Sequence, residues 1–270
     1  MTNFTEFAQP WRDYLKGFHI FSGLYHVGGR SSPSYLIDTG DGLLLLDTGS
    51  PKSAFCIFQN FADFGYNPRD VRWIIHSHGH IDHIGLSRMF MEMNHAETFI
   101  GRDDLDIVNG KLDLTWAKEL GIRYEEPFEP DHLLDDGDEL TFGNVTIKCL
   151  STPGHTPGVM SYFFNLTENG QTLRAGTFGG AGFNSMKKEF LDRYDLSYDC
   201  REKFLDNFPK LHKEKVDIFF GNHLGSFHFR EKLDKIAAGA KNNPFIDPGE
   251  WENYLNKTEA DFREFLKNDR

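Results

Sequence analysis

The stretch HSHGHIDHIG, His76 to Gly85, holds four histidines and an aspartate: His76, His78, His80, Asp82 and His83. The chain has 12 histidines in 270 residues, so an even spread would put fewer than one in that window. Imidazole is the commonest transition-metal ligand, and a neighbouring carboxylate completes the donor set of a metal site. In an extended segment His78 and His80 point to one side, whereas the adjacent Asp82 and His83 point elsewhere, so one short loop can serve two ions. Each ion needs three or four protein donors, and remote residues must complete both sets. Two histidines qualify by position. His155 lies in STPGHTPG, where two prolines and two glycines shape a tight turn that aims a side chain without helix or strand support. His223 closes the apolar run VDIFFGNH at a strand tip.

These residues need rigid elements to position them. VRWIIHS reads as a buried strand that ends at the histidine cluster, and IGLSRMFMEM as a helix starting right after it. Upstream, FHIFSGLYHVGG, PSYLIDTGDG and LLLLDTGS predict short strands joined by hairpin turns, followed by a helix from Ser53 to Phe64. Downstream, DELTFGNVTIKCLSTPG predicts two strands across a Gly-Asn turn, VMSYFFNLTENGQTLRAGTFG another pair, and VDIFFGNH a last buried strand. Helices are expected over 195–211, 226–240 and 248–268, the last two opened by the capping candidates Ser226 and Asp247. Strand runs and helices in two similar halves, meeting near 125–135, predict one α+β domain over the whole chain: two mixed sheets packed together with helices outside.

Composition narrows the function. The three cysteines, Cys56, Cys149 and Cys200, are odd in number and show no CxxC pairing, so reduced and mostly buried thiols are expected rather than a disulfide framework or a thiolate zinc knuckle. The amino-terminal stretch MTNFTEFAQPWRDYLKG carries charge and Pro10 and offers no apolar run of signal-peptide type, which predicts a cytoplasmic protein. No run of 18 apolar residues occurs, so no membrane span is expected. Against 29 basic residues stand 41 acidic ones, a net charge of −12 that repels polyanions and argues against nucleic acid as a partner. A small-molecule substrate is the expectation.

HSHGHIDH followed by TPGHTPG resembles the metallo-β-lactamase superfamily, whose fold is an αββα sandwich with a metal site between its two sheets. Within it, LLDDGDELTFGNVTIKCLSTPGHTPG and the tail from GNHLGSFHF to the last helix are most similar to the third subclass of zinc β-lactamases. That resemblance implies two zinc ions, the first bound by His78, His80 and His155 and the second by Asp82, His83 and His223. His76 has no counterpart among the ligands and reads as a strand or supporting residue. Three ligands per ion leave room for a shared hydroxide, which would attack a carbonyl polarised by the first zinc while Asp82 orients it. The resemblance thus implies a dinuclear zinc hydrolase that opens a cyclic amide or ester, with a thioesterase of glyoxalase II type or a lactonase as the alternative. An iron oxidoreductase or a non-catalytic metal-binding protein is the alternative of another class. His80 stands where the flavodiiron branch has a glutamate, which favours zinc hydrolysis over iron chemistry. Near TLRAGTFGG, where glyoxalase II and many lactonases carry a metal-bridging aspartate, this chain offers only Thr177, which could line the pocket.

Asp47 in LLLLDTGS matches a superfamily position beneath the metal loop and is expected to support it through hydrogen bonds. Between Gly101 and Pro130, where the family places variable loops, Trp116 and Tyr124 are candidates for substrate contact, although packing at the surface is the commoner role of such aromatics. His26, His132 and His228 read as structural.

Overall fold

Two sheets lie face to face in a computed structural model that describes residues 9–124 and 126–269. The first eight residues of the amino-terminal stretch, and Glu125 of the segment expected over the site, lie outside the described residues. The first sheet is built, in spatial order, from β1 (Phe18–Phe21), β2 (Leu24–His26), β3 (Tyr35–Asp38), β4 (Leu43–Leu46), β5 (Val71–Ile75), β6 (Glu97–Gly101) and β7 (His132–Leu134). It is antiparallel as far as β4 and parallel from β4 to β7. The second runs β12-β11-β10-β9-β8, with β8 (Glu139–Phe142), β9 (Val145–Ser151), β10 (Met160–Glu168), β11 (Gln171–Thr177) and β12 (Ile218–Phe219), and only the β11–β12 pair is parallel. Both sheets are therefore mixed, and helices cover their outer faces.

The pattern of β4 explains the layering. A strand alternates its side chains between two faces, so an unbroken LLLL run must be buried on both. Leu44 and Leu46 join the core between the sheets, whereas Leu43 and Leu45 pack with Ile57 and Phe61 of helix α1 (Ala54–Phe64) and Phe90 of a later helix. In β10, Phe163 meets Trp251 of the carboxy-terminal helix with ring centroids 5.7 Å apart, while Tyr162 on the other face donates its hydroxyl to His76 O at 2.6 Å. Each such fully buried side chain contributes about 1.5–3 kcal/mol.

After β5 the chain makes a single turn, α2 (Ile81–Ile84), before α3 (Ser87–Asn94), so the helix expected over IGLSRMFMEM starts later than its apolar pattern suggests. The remaining helices are α4 (Leu105–Val108), α5 (Lys188–Arg193), α6 (Asp199–Asp206), α7 (Phe208–Leu211), α8 (Phe229–Ala237) and α9 (Pro248–Asn268). The single helix expected over 195–211 is a correction: Asp195 has φ +50°, and Pro209, which cannot donate a backbone hydrogen bond, opens α7 after a break at Asn207. The helix expected over 226–240 begins only at Phe229, because Ser226 lies in a preceding turn and His228 before the helix has φ +50°. Asp247 caps α9 as its residue type predicts, accepting from Gly249 N at 3.0 Å. The short strands β6 and β7 and the helices α4 and α5 were not foreseen. Among the described residues no helix is long and apolar enough to cross a membrane, and the three cysteines are free, Cys200 only partly buried.

Candidate metal centre

The carboxyl end of β5 carries the histidine cluster to the edge of the interface between the sheets. Ser77 O there accepts from Met160 N of β10 at 2.8 Å, which fastens the loop to the second sheet. His80 takes an extended conformation just before α2, so Asp82 and His83 rise from a helical turn and not from a continued extended segment. The change of backbone separates the loop's donors into two directions.

His78, His80 and His155 form one group and Asp82, His83 and His223 another, and in each the potential ligand atoms lie within 4.8 Å of one another. In the first group the imidazole centroids are 4.5–4.7 Å apart. In the second, Asp82 Oδ2 lies 3.6 Å from His83 Nε2 and 3.8 Å from His223 Nε2. The rings of His78 and His83 are 4.0 Å apart, so the two groups adjoin. His76 is excluded from both, since its Nδ1–H donates to Phe99 O at 2.9 Å and its Nε2 accepts from Ser87 Oγ at 2.7 Å.

The far side of these rings is tied down. The carbonyls of Gly179 and Gly182 accept from His78 Nδ1 and His155 Nδ1 at 3.0 and 2.9 Å, and Asp47 Oδ2 accepts from His83 Nδ1 at 2.7 Å. This fixes the tautomers and turns each Nε2 inward, the arrangement that orients histidine ligands. His78 Nε2 and His83 Nε2 are buried and have no hydrogen-bond partner among the described residues. Unpaired polar atoms of that kind are costly, and a cation would satisfy both. The donor set of imidazoles and one carboxylate, with no thiolate, therefore fits metal ions of the zinc or iron type.

Electrostatics favour the same occupant. Burial, reinforced by neighbouring imidazoles, drives His78 and His80 well below the ordinary histidine value, and burial lowers His155 to about 4 and His223 as well, so these rings are neutral and free to ligate. Burial would also lower His83, but Asp82 and Asp47 outweigh it and raise its pKa. Burial opposes the charge on Asp82, yet His83 and His223 hold its carboxyl below the usual range.

Asp47 sits under the loop at 1% exposure with φ +60°, accepting from Ser77 N and Ser77 Oγ, both at 2.7 Å, besides His83. Thr177 is fully buried, and its hydroxyl has no partner among the described residues. Trp116, at φ +66°, lays its ring between His80 and Phe190, with centroids 5.7 and 4.6 Å away. Tyr124 packs against the cluster of Ile84, Ile100, Val108 and Phe128 and donates its hydroxyl to Glu126 O. His132 pairs with Glu97 at 3.0 Å, and neither ring nitrogen of the buried His26 has a hydrogen-bond partner among the described residues.

Sequence reasoning missed Asp104. Fully buried, it accepts from Gly79 N at 2.7 Å, Thr156 Oγ1 at 2.6 Å and Gly158 N at 2.7 Å, bridging the loop of His78 and His80 to that of His155. Gly158 packs so closely that a Cβ there would overlap the Asp104 backbone. Burial pushes the Asp104 carboxyl up to about 6, against the pull of its three donors. No local signal in GRDDLDIV marked it among its acidic neighbours.

Comparison with known proteins agrees with this architecture. A subclass B3 metallo-beta-lactamase of Bradyrhizobium japonicum superposes with a TM-score of 0.85 at 24% identity, covering 97% of each chain. The native metallo-beta-lactamase from Legionella gormanii superposes equally well, at 0.85, with 27% identity over 95% of this chain and 97% of that one. An N-acyl homoserine lactonase of Bacillus thuringiensis is 26% identical over 218 residues, 70% of this chain and 80% of its own. Against four curated relatives of 27% to 36% identity the matched region spans 31% to 65% of their lengths. The family model of the metallo-beta-lactamase superfamily matches residues 27–198, from the end of β2 through α5. With two donor groups on the sandwich these neighbours share, the chain belongs to the metallo-beta-lactamase superfamily.

Proposed function

We propose that the protein is a dinuclear zinc hydrolase that opens a cyclic amide or ester bond in a small molecule, a β-lactam or a lactone. The observation that carries this reading is the pair of adjoining donor groups with inward-facing, unpartnered imidazole nitrogens. His78, His80 and His155 would hold one ion and Asp82, His83 and His223 the other. When bound, zinc supplies Lewis-acid polarisation of a carbonyl and acidifies water near neutral pH.

The chain's own residues do the rest. His78 and His83 are fully buried, whereas the side chains of Asp82 and His223 are 21% and 44% exposed, so substrate and water approach from the Asp82–His223 side. Asp82, kept ionised by its histidine neighbours, accepts a hydrogen bond from the attacking water and orients it. Asp47 holds His83 and the Ser77 backbone so that this geometry costs nothing at the moment of reaction. The B3 neighbours favour a β-lactam and the lactonase relative a lactone. The free thiols support a reducing, cytoplasmic setting.

The test is the metal content of purified protein, together with initial rates of cephalosporin and γ-lactone ring opening with and without chelator. Two zincs per chain and chelator-sensitive opening of either ring are expected, with one zinc and the turnover lost in His155→Ala. Turnover that survives complete metal removal would overturn the reading, and stoichiometric iron with a redox-dependent spectrum would replace it with oxidoreductase chemistry.

A further inference from the structure

Three imidazoles of the two donor groups are aimed by an acceptor behind them: Gly179 O for His78, Gly182 O for His155 and Asp47 for His83. A histidine that ligates a metal ordinarily has such a partner, which fixes its ring. His80 departs from this rule. Only 3% of it is exposed, yet among the described residues its ring makes no hydrogen bond. Besides the other donor rings, the ring that meets it is the indole of Trp116, 5.7 Å away between centroids and inclined by 44°.

Trp116 reaches that position through a backbone that a bulky residue rarely adopts, with φ +66°. Left-handed backbone of this kind persists only where the surroundings hold it. Two attachments do so here. On one side Thr115 O accepts from Ile81 N at 2.8 Å, directly after His80, so the segment is fastened to the metal loop itself. On the other, the indole packs on Phe190 of α5 at 4.6 Å, and Glu119 accepts from the hydroxyl of Tyr194, just past that helix, at 2.5 Å. Phe190 and Tyr194 are in turn in ring contact at 4.7 Å. Residues 115–119 thus form a strap between the metal loop and α5, with Trp116 at its tightest point.

We infer that Trp116 is the positioning residue of His80, its ring supplying by packing the aim that hydrogen bonds give to His78 and His155. Tilted aromatic pairs at such separations have a preferred geometry, so the contact restricts the rotation of the imidazole as well as covering it. The inference rests on the metal-binding part of the proposed function and asks nothing of the substrate.

The experiment compares Trp116→Phe, Trp116→Leu and Trp116→Gly. Phe and Leu carry the same left-handed strain, so their difference isolates the flat ring, whereas Gly accepts φ +66° freely and preserves the strap without a side chain. Zinc affinity is measured against a competing chelator in two settings: with His223→Ala, which leaves His78, His80 and His155 as the intact group, and with His155→Ala, which leaves Asp82, His83 and His223. In the first setting the Leu and Gly substitutions are expected to weaken zinc about 10- to 100-fold, with Phe retaining most of the affinity. In the second, all three are expected to leave affinity unchanged. Unchanged affinity in the first setting, or equal losses in both, overturns the inference, because a merely structural role would not distinguish the two groups. NMR of the metal-free protein reads the contact itself: the His80 ring protons should lose their ring-current displacement in the Leu and Gly variants, and unmoved resonances overturn the inference whatever the zinc affinity. If the zinc pattern holds and neither a β-lactam nor a lactone is opened, the hydrolase reading alone fails.

Discussion

Replacing Asp104 tests how two distant loops are held in one site. Its carboxylate is fully buried and serves three donors, two of them backbone N–H groups that have no other role. If Asn places its oxygen where Oδ2 now accepts from Gly79 and Thr156, only the Gly158 N–H is stranded, at a cost of about 1–3 kcal/mol. Alanine strands all three donors and opens a small cavity, so roughly 3–6 kcal/mol is expected, a large part of a typical domain's stability of about 5–15 kcal/mol. Urea unfolding of the metal-free protein reads both values. Because Gly79 lies between His78 and His80, and Thr156 follows His155, zinc affinity measured against a competing chelator should also fall about 10- to 100-fold in the Asn variant. An Asn variant with wild-type stability and wild-type zinc affinity would refute the view that Asp104 sets the distance between the loops.

Two further outcomes follow from single residues. Asp47→Asn keeps a residue type tolerant of φ +60° but removes the carboxylate that holds His83 Nδ1, so on the proposed dinuclear reading zinc at Asp82, His83 and His223 should bind about 10- to 100-fold more weakly while the fold survives, as read by zinc stoichiometry under chelator competition. His26 is buried with neither ring nitrogen hydrogen-bonded among the described residues, and burial lowers its pKa to about 3, so it folds only as the neutral ring, and its stabilising effect is complete above the unfolded value near 6.5 and is lost as pH falls below it. Wild-type stability should therefore drop between pH 7 and pH 5 by about 2 kcal/mol more than that of His26→Phe, a ring that can still stack on Phe18, and equal slopes for the two proteins would contradict this.

The loop residues of the two donor groups stood out in the sequence because their signal is local. HSHGHIDH concentrates metal-ligand residue types in a few positions, LLLL and VRWII carry the apolar runs of strands buried on both faces, and Asp247 stands before Pro248 as a cap must. Such patterns depend only on neighbours in the chain and on the periods of strand and helix. The breaks at Asp195 and His228 were not legible, because an ordinary residue enters the left-handed region only when surrounding packing holds it there.

What the tertiary structure alone decided is which distant atoms complete the site. Asp104 lies 25 residues from Gly79 and 54 from Gly158, and the carbonyl that orients His78 is 101 residues away on Gly179. Backbone donors and acceptors look alike at every position, so no residue type advertises these partnerships. Donor chemistry was written in the sequence, whereas the tautomer and aim of each ring and the separation of the two loops arise only when two sheets bring remote segments within hydrogen-bonding distance.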